Sequence, residues 1–191
     1  MSLVNVAGRE IQLKLVYYGI GLSGKTTNLR FLHTSVVGEQ MSTMTSIATE
    51  GERTLFFDFL PVDVGRIHGF RLRFQMYTVP GQQLYAATRS AVLHGADAVV
   101  LVIDSQVEKL NDNRESVLEL EANLKAEHKD IAQFPVVVQY NKRDLPNALN
   151  VGELEQTLNT RHWPSFEAIA SRGDGVFETF RTLSKEAVKR L

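Results

Sequence analysis

At 191 residues, with 43% hydrophobic and 23% charged side chains, the chain has a globular composition that excludes collagen-like, coiled-coil and disordered classes. Twenty-one Lys and Arg against 22 Asp and Glu leave a formal charge of −1, far from the basic balance of a protein that grips nucleic acid electrostatically. The absence of cysteine removes disulfides, thiol catalysis, cysteine-bound zinc and iron–sulfur clusters, and suits a reducing compartment. The first residues, Met1-Ser2-Leu3-Val4-Asn5, do not read as a secretory signal. No apolar run approaches the ~20 residues of a spanning helix. With no cysteine to acylate or prenylate and Ser2 where myristoylation needs glycine, the expectation is a cytoplasmic protein that meets membranes only through partners.

Strand and helix periodicities alternate along the chain. Residues 11–18 read as a strand running into Gly19, and 25–35 as a short helix. Residues 54–60 and 70–78 read as paired strands joined by a hairpin loop over 61–69, which holds Pro61, Gly65 and Gly69. A helix over 83–94 leads to the apolar run 98–104, the pattern of a strand buried on both faces of a parallel sheet. Helical spacing over 112–128, a strand over 134–140, a helix over 151–159, a short strand over 165–170 and a closing helix over 176–191 complete the pattern. The expectation is an α/β domain covering 1–191, with a short N-terminal extension over 1–10. Its six-stranded, mostly parallel sheet carries about five helices on both faces.

Gly19-Ile20-Gly21-Leu22-Ser23-Gly24-Lys25-Thr26 matches G-x-x-x-x-G-K-[ST], between a strand and a helix as that motif requires. Glycines let backbone N–H groups, those of Gly21, Leu22, Ser23, Gly24 and the following Thr27 among them, turn inward around a polyphosphate. The helix N-terminus adds its positive end. Lys25 brings a charge to the β- and γ-phosphates, and the Thr26 hydroxyl a ligand for Mg²⁺. Asn141-Lys142-Arg143-Asp144 stands at the carboxyl end of a buried strand, where open α/β sheets bind ligands. An Asp there accepts two hydrogen bonds, matching guanine N1–H and its 2-amino group, a pair that adenine lacks. Asn141 can tie this loop to the phosphate loop, and the Lys142 stem can cover one face of the base. A P-loop ATPase or kinase is the first rival reading, and Asn141–Asp144 speaks against it.

Together these motifs resemble the small Ras-like GTPases over about residues 11–190. The resemblance implies a GTP/GDP switch with Mg²⁺, slow hydrolysis, and effectors that read switch I and switch II. It puts the third base loop at Ile169-Ala170-Ser171, with the Ala170 N–H serving guanine O6 and Ser171 where a lysine is usual. It puts the switch I metal ligand at Thr54 and switch II at Thr78-Val79-Pro80-Gly81-Gln82. There Gly81 faces the γ-phosphate and Gln82 orients the attacking water. Thr78 replaces the family's usual aspartate, which weakens the metal's surroundings and leaves a non-hydrolysing scaffold as the second rival reading.

The segments Gly-Leu-Ser-Gly-Lys-Thr-Thr-Asn-Leu, Glu-Arg-Thr-Leu-Phe-Phe-Asp-Phe and Thr-Val-Pro-Gly-Gln resemble the bacterial polarity and gliding-motility branch. That branch implies a homodimeric Roadblock-type activator and recruitment to a cell pole through protein partners. Arg53 reads in two ways, as an arginine finger supplied in cis or as a solvated neighbour of Glu50 and Glu52. Asp58 reads either as a carboxylate that compensates for Thr78 or as an ordinary strand-face carboxylate, the second being the expectation. Leu84 and Tyr85 are either a partner surface or simple helix packing. The five histidines show no ligand spacing.

Overall fold

The computed structural model describes residues 3–35, 44–49, 53–81 and 86–191, with the side chains of 3, 45–49 and 53–57 outside that description. In chain order the strands are β1 (Leu3–Asn5), β2 (Glu10–Tyr18), β3 (Thr45–Thr49), β4 (Arg53–Ile67), β5 (Phe70–Thr78), β6 (Ala98–Asp104), β7 (Val136–Asn141) and β8 (Ser165–Glu167). The helices are α1 (Lys25–Ser35), α2 (Ala86–Leu93), α3 (Leu110–Ala126), α4 (Val151–Leu158) and α5 (Val176–Val188). They surround a sheet of order β3-β4-β5-β2-β6-β7-β8, with β1 on the side of β2.

β2, β5, β6, β7 and β8 run parallel, as connections through helices require. β6 and β7 throughout, and β2 from Leu15 on, are buried on both faces. Leu15, Tyr17, Val100, Val102 and Val137 pack under α1 and α5. Val16, Tyr18, Val99, Leu101, Ile103 and Val138 pack under α2, α3 and α4. The period-two alternation within each strand therefore feeds two cores. No helix among the described residues is long and apolar enough to cross a membrane.

The sheet has eight strands among the described residues, not the six expected, and two additions explain the difference. The N-terminal segment, expected as a bare extension, forms β1 and pairs antiparallel with Glu10–Gln12. It fills the flank of β2 that β6, which joins only from Leu15, leaves open. β3 pairs antiparallel with the start of β4.

The expected loop over 61–69 is mostly strand. β4 continues to Ile67, and only His68 and Gly69 turn the chain. Pro61 is tolerated because β3 reaches only Phe59, so its missing N–H faces an unpaired edge. Gly65, at φ +102, takes a shift in register between Asp63 and Gly65. The last strand is shorter than expected, since the chain leaves β7 after Glu167.

Gly175 is the hinge between that departure and α5. It has φ +72, and a Cβ on it would lie 2.0 Å from the Glu167 carbonyl oxygen. Gly65 has a left-handed backbone too, but a Cβ there would meet nothing within 4 Å. Gly65→Ala should therefore cost only the strained backbone, about 1–2 kcal/mol. Gly175→Ala should cost about 3 kcal/mol or more, because backbone must also shift. Urea unfolding midpoints at unchanged slope check both.

Candidate nucleotide site

The phosphate loop leaves β2 at Gly19 and enters α1 at Lys25. Lys25 is 6% exposed and curls back over the loop, its Nζ donating to the carbonyls of Gly19, at 2.9 Å, and Ile20. Burial pulls its pKa down to about 7; the Arg89 guanidinium pushes the same way and the Asp58 carboxylate opposes both. Thr26 and Thr27 are half-buried at the first turn of α1, and Leu22 projects outward from the loop. A cavity of about 590 Å³ opens beside the loop toward α3. At its far wall Arg89, 5% exposed, pairs with Glu119 at 2.8 Å and reaches the Pro80 carbonyl.

The segment expected as switch II is fastened to this loop. Gly81 accepts a hydrogen bond from the Gly21 N–H at 2.9 Å. A Cβ on Gly81 would lie 2.2 Å from the Gly21 nitrogen, so only glycine approaches this closely. Gln82, Leu84 and Tyr85 lie outside the described residues. Arg53 and Thr54 begin β4, paired with Thr49 and Ala48, and their side chains are outside the description.

Asn141 joins three loops with one side chain. Its Nδ2 donates to the Ser23 carbonyl at 2.7 Å, and its Oδ1 accepts from the Ala170 N–H at 2.9 Å. The N–H that the resemblance directs to guanine O6 is thus given to Asn141. Gly24, at φ +104, makes this contact sterically possible: a Cβ there would meet Asn141 Nδ2 at 2.1 Å. Lys142 lies in a left-handed conformation, φ +64, and its Nζ sits 2.6 Å from Asp104. Asp144 and Ser171 are exposed.

A second buried set braces the loop from beneath. Asn28 donates to the Gly24 carbonyl at 2.9 Å and exchanges two hydrogen bonds with Gln139, which in turn donates to Thr179 of α5.

Asp58 is no ordinary strand-face carboxylate. It is fully buried and accepts from the Thr26 hydroxyl at 2.5 Å and the Thr78 hydroxyl at 2.8 Å. Thr78 in return accepts from the Asp58 N–H at 2.8 Å. The carboxylate missing from β5 is thus supplied by its antiparallel neighbour β4. The donors are all hard oxygens, and among the described residues no three His, Cys, Asp or Glu gather around a common point. That set fits Mg²⁺, which binds through one or two protein oxygens plus phosphates and water.

Motif spacing singles out neither Asp104, Arg89 nor the Asn28–Gln139–Thr179 set, and for Asp58 it leaves compensation for Thr78 as the less favoured of two readings. The one available signal was a lone carboxylate inside an apolar run, Phe-Phe-Asp-Phe-Leu for Asp58 and Val-Leu-Val-Ile-Asp for Asp104.

Residues 1–187 match the ADP-ribosylation factor family. The chain is similar to the mutual gliding-motility protein MglA of Myxococcus xanthus (strain DK1622), with 48% identity over 191 residues, covering 100% of this chain and 98% of that protein. It is also similar to ADP-ribosylation factor-like protein 6 of Caenorhabditis briggsae, at 28% identity over 100% of this chain and 95% of that protein. ADP-ribosylation factor-like protein 5 of Caenorhabditis elegans is 26% identical over 90% and 88% respectively. The chain belongs to the ADP-ribosylation factor family of Ras-like small GTPases.

Proposed function

We propose that residues 1–191 act as a single G domain that binds GTP and GDP with Mg²⁺, hydrolyses GTP slowly alone, and changes partners with the state of its switches. The observation that carries this reading is the Asn141 side chain, which holds the phosphate loop, its own base loop and the Ala170 loop at fixed separations. A ligand with a polyphosphate at one end and a purine at the other uses all three.

In this reading the backbone N–H groups of Gly21 to Thr27 receive the phosphates, and Lys25 gives up its carbonyl partners to bind them. Thr26 and Thr54 hold Mg²⁺, with Asp58 and Thr78 behind Thr26. When bound, the ion draws charge from the phosphate oxygens. Asp144 accepts from guanine N1–H and the 2-amino group, while Ala170 and Ser171 flank O6. The Gly21–Gly81 hydrogen bond couples the phosphate loop to switch II, so a γ-phosphoryl group entering between them must part it. Gln82 orients the attacking water, and Arg53 stabilises the charge that develops on the phosphoryl oxygens. Thr78 alone would favour a scaffold without turnover; a carboxylate touching both hydroxyls favours turnover instead.

Likeness to a protein named for gliding motility supports a role in cell polarity or motility. The partners proposed are a homodimeric Roadblock-type activator of the MglB kind, effectors at the two switches, and no nucleic acid. The site of action is the cytoplasm, with recruitment to a pole through other proteins.

Asp144→Asn should lower GDP affinity at least ~10²-fold and turn preference toward xanthosine diphosphate, because an amide presents a donor where the carboxylate only accepts. Competition binding with the two nucleotides reads this, and unchanged guanine selectivity would refute the base-pocket assignment. In single-turnover phosphate release, Gln82→Leu should be slower by about 10²–10³ with GTP still bound. In the same assay Arg53→Ala should lose ~10²-fold of the activator-stimulated rate at unaltered GTP affinity. Parental rates in either variant count against that residue's role. Asp58→Asn should raise the Mg²⁺ concentration needed to retain GDP by about 10–100-fold, measured as nucleotide release against free Mg²⁺. A parental midpoint would detach Asp58 from the metal.

A further inference from the structure

Asp104 closes β6 and is the one charged residue in a strand whose other members are apolar and buried. It is 1% exposed and held on every side. Its N–H donates to Asn113 Oδ1 at 3.2 Å, and its carbonyl accepts from Asn113 Nδ2 at 2.7 Å. One carboxylate oxygen accepts from the Gln106 N–H at 3.2 Å, and the other takes Lys142 Nζ at 2.6 Å. Asn113 is itself fully buried on α3, so the Asp104 backbone from which the carboxylate projects is fastened to the core.

Lys142 is fixed at its other end as well. The preceding residue, Asn141, is the register partner of Asp104. The left-handed turn at Lys142 is set by Arg143 donating to the Ala168 carbonyl and Leu145 donating to the Lys142 carbonyl, each at 3.2 Å. The four-carbon stem is therefore stretched between the carboxyl ends of β7 and β6, with its ammonium drawn off to one side.

We propose that Asp104 is the positioning residue of the purine site: it pins the Lys142 ammonium so that the methylene stem is laid out as an apolar bar before nucleotide arrives. The proposal rests on reading Asn141–Asp144 as the guanine loop. A free lysine gives up most of its rotamer freedom when it is laid on a base, and a lysine already pinned has none left to lose at the moment of binding. A buried carboxylate also cannot be left without its cation, so the two side chains stand or fall together.

The test is release of fluorescent N-methylanthraniloyl-GDP from the full chain with Mg²⁺ and excess unlabelled GDP. The variants are Asp104→Asn, Lys142→Met and the double variant. Asp104→Asn should release nucleotide about tenfold faster, the size of ordering one long side chain, while still preferring guanine to xanthine. The double variant should release no faster than Lys142→Met alone, because Asp104 acts only through that ammonium. Parental release in Asp104→Asn overturns the proposal. So does a double variant whose effect is the product of the two single effects, the result of a merely structural role.

One measurement needs no change at Asp104. The Lys142 ammonium resonance, assigned by its loss in Lys142→Met, should exchange with water far more slowly than exposed lysines in the GDP complex; exchange at their rate overturns the proposal. Asp144→Asn in the same assay keeps the two readings apart. If it leaves guanine preferred, the guanine-loop reading fails and this proposal with it. If it turns preference to xanthine while Asp104→Asn releases at the parental rate, only this proposal fails.

Discussion

The carboxamide of Asn141 is the point at which the phosphate end and the base end of the site become one object. Its donor and acceptor are both taken up by backbone, one by Ser23 and one by Ala170. Neither aspartate nor leucine in the same volume offers that combination. The contact exists because β7 ends beside β6 and because Gly24 has no side chain to hold the phosphate loop away. Around it the other polar contacts divide the work: Asn28 and Gln139 brace the loop from the α1 side, and Asp104 and Asn113 square off the end of β6. Each of these groups is buried and each has a partner, so the frame is stiff where an unpaired polar group would make it weak.

The side proposed for the metal follows a different logic. An ion needs negative charge at a place, not at a position in the sequence. Antiparallel pairing of β4 with β5 lets Asp58 deliver a carboxylate to Thr78, the residue that otherwise would have been one. The distance law that governs the field is indifferent to which strand bears the charge. What does differ is what moves: a carboxylate on β4 shares its strand with Arg53 and Thr54, so any sliding of that strand carries all three together.

Much of this is readable in the sequence alone. The phosphate loop and Asn141–Asp144 are short local patterns in which every residue type has a separate chemical reason to be present, and the buried strands announce themselves by unbroken apolar runs. β6 and β7 fall close to the expected limits for that reason. β1 and β3 escape such a reading because a three-residue strand and a five-residue strand without strong alternation acquire their identity from the neighbour they pair with. The 61–69 segment misleads because proline and glycine usually punctuate; here an open edge and a bulge absorb both. Asp58 and Asp104 look alike in sequence, isolated carboxylates in apolar runs. Only the third dimension tells that one faces Thr26 and the other Lys142, since nothing local encodes a partner dozens of residues away.

The brace beneath the phosphate loop sets an order of events during synthesis. Asn28 is made 111 residues before Gln139, and Thr179 follows another 40 residues later. A ribosome that has just finished α4 has already delivered the complete phosphate loop and Asn141, yet neither Ala170 nor Thr179 exists. At about 5–20 residues per second, the nascent chain spends seconds in which its most recognisable motif is present but unframed. Throughout that interval the loop lacks the Thr179 end of its brace and the Ala170 partner of Asn141. The frame around the phosphate loop therefore closes only once α5 has brought Thr179 against Gln139.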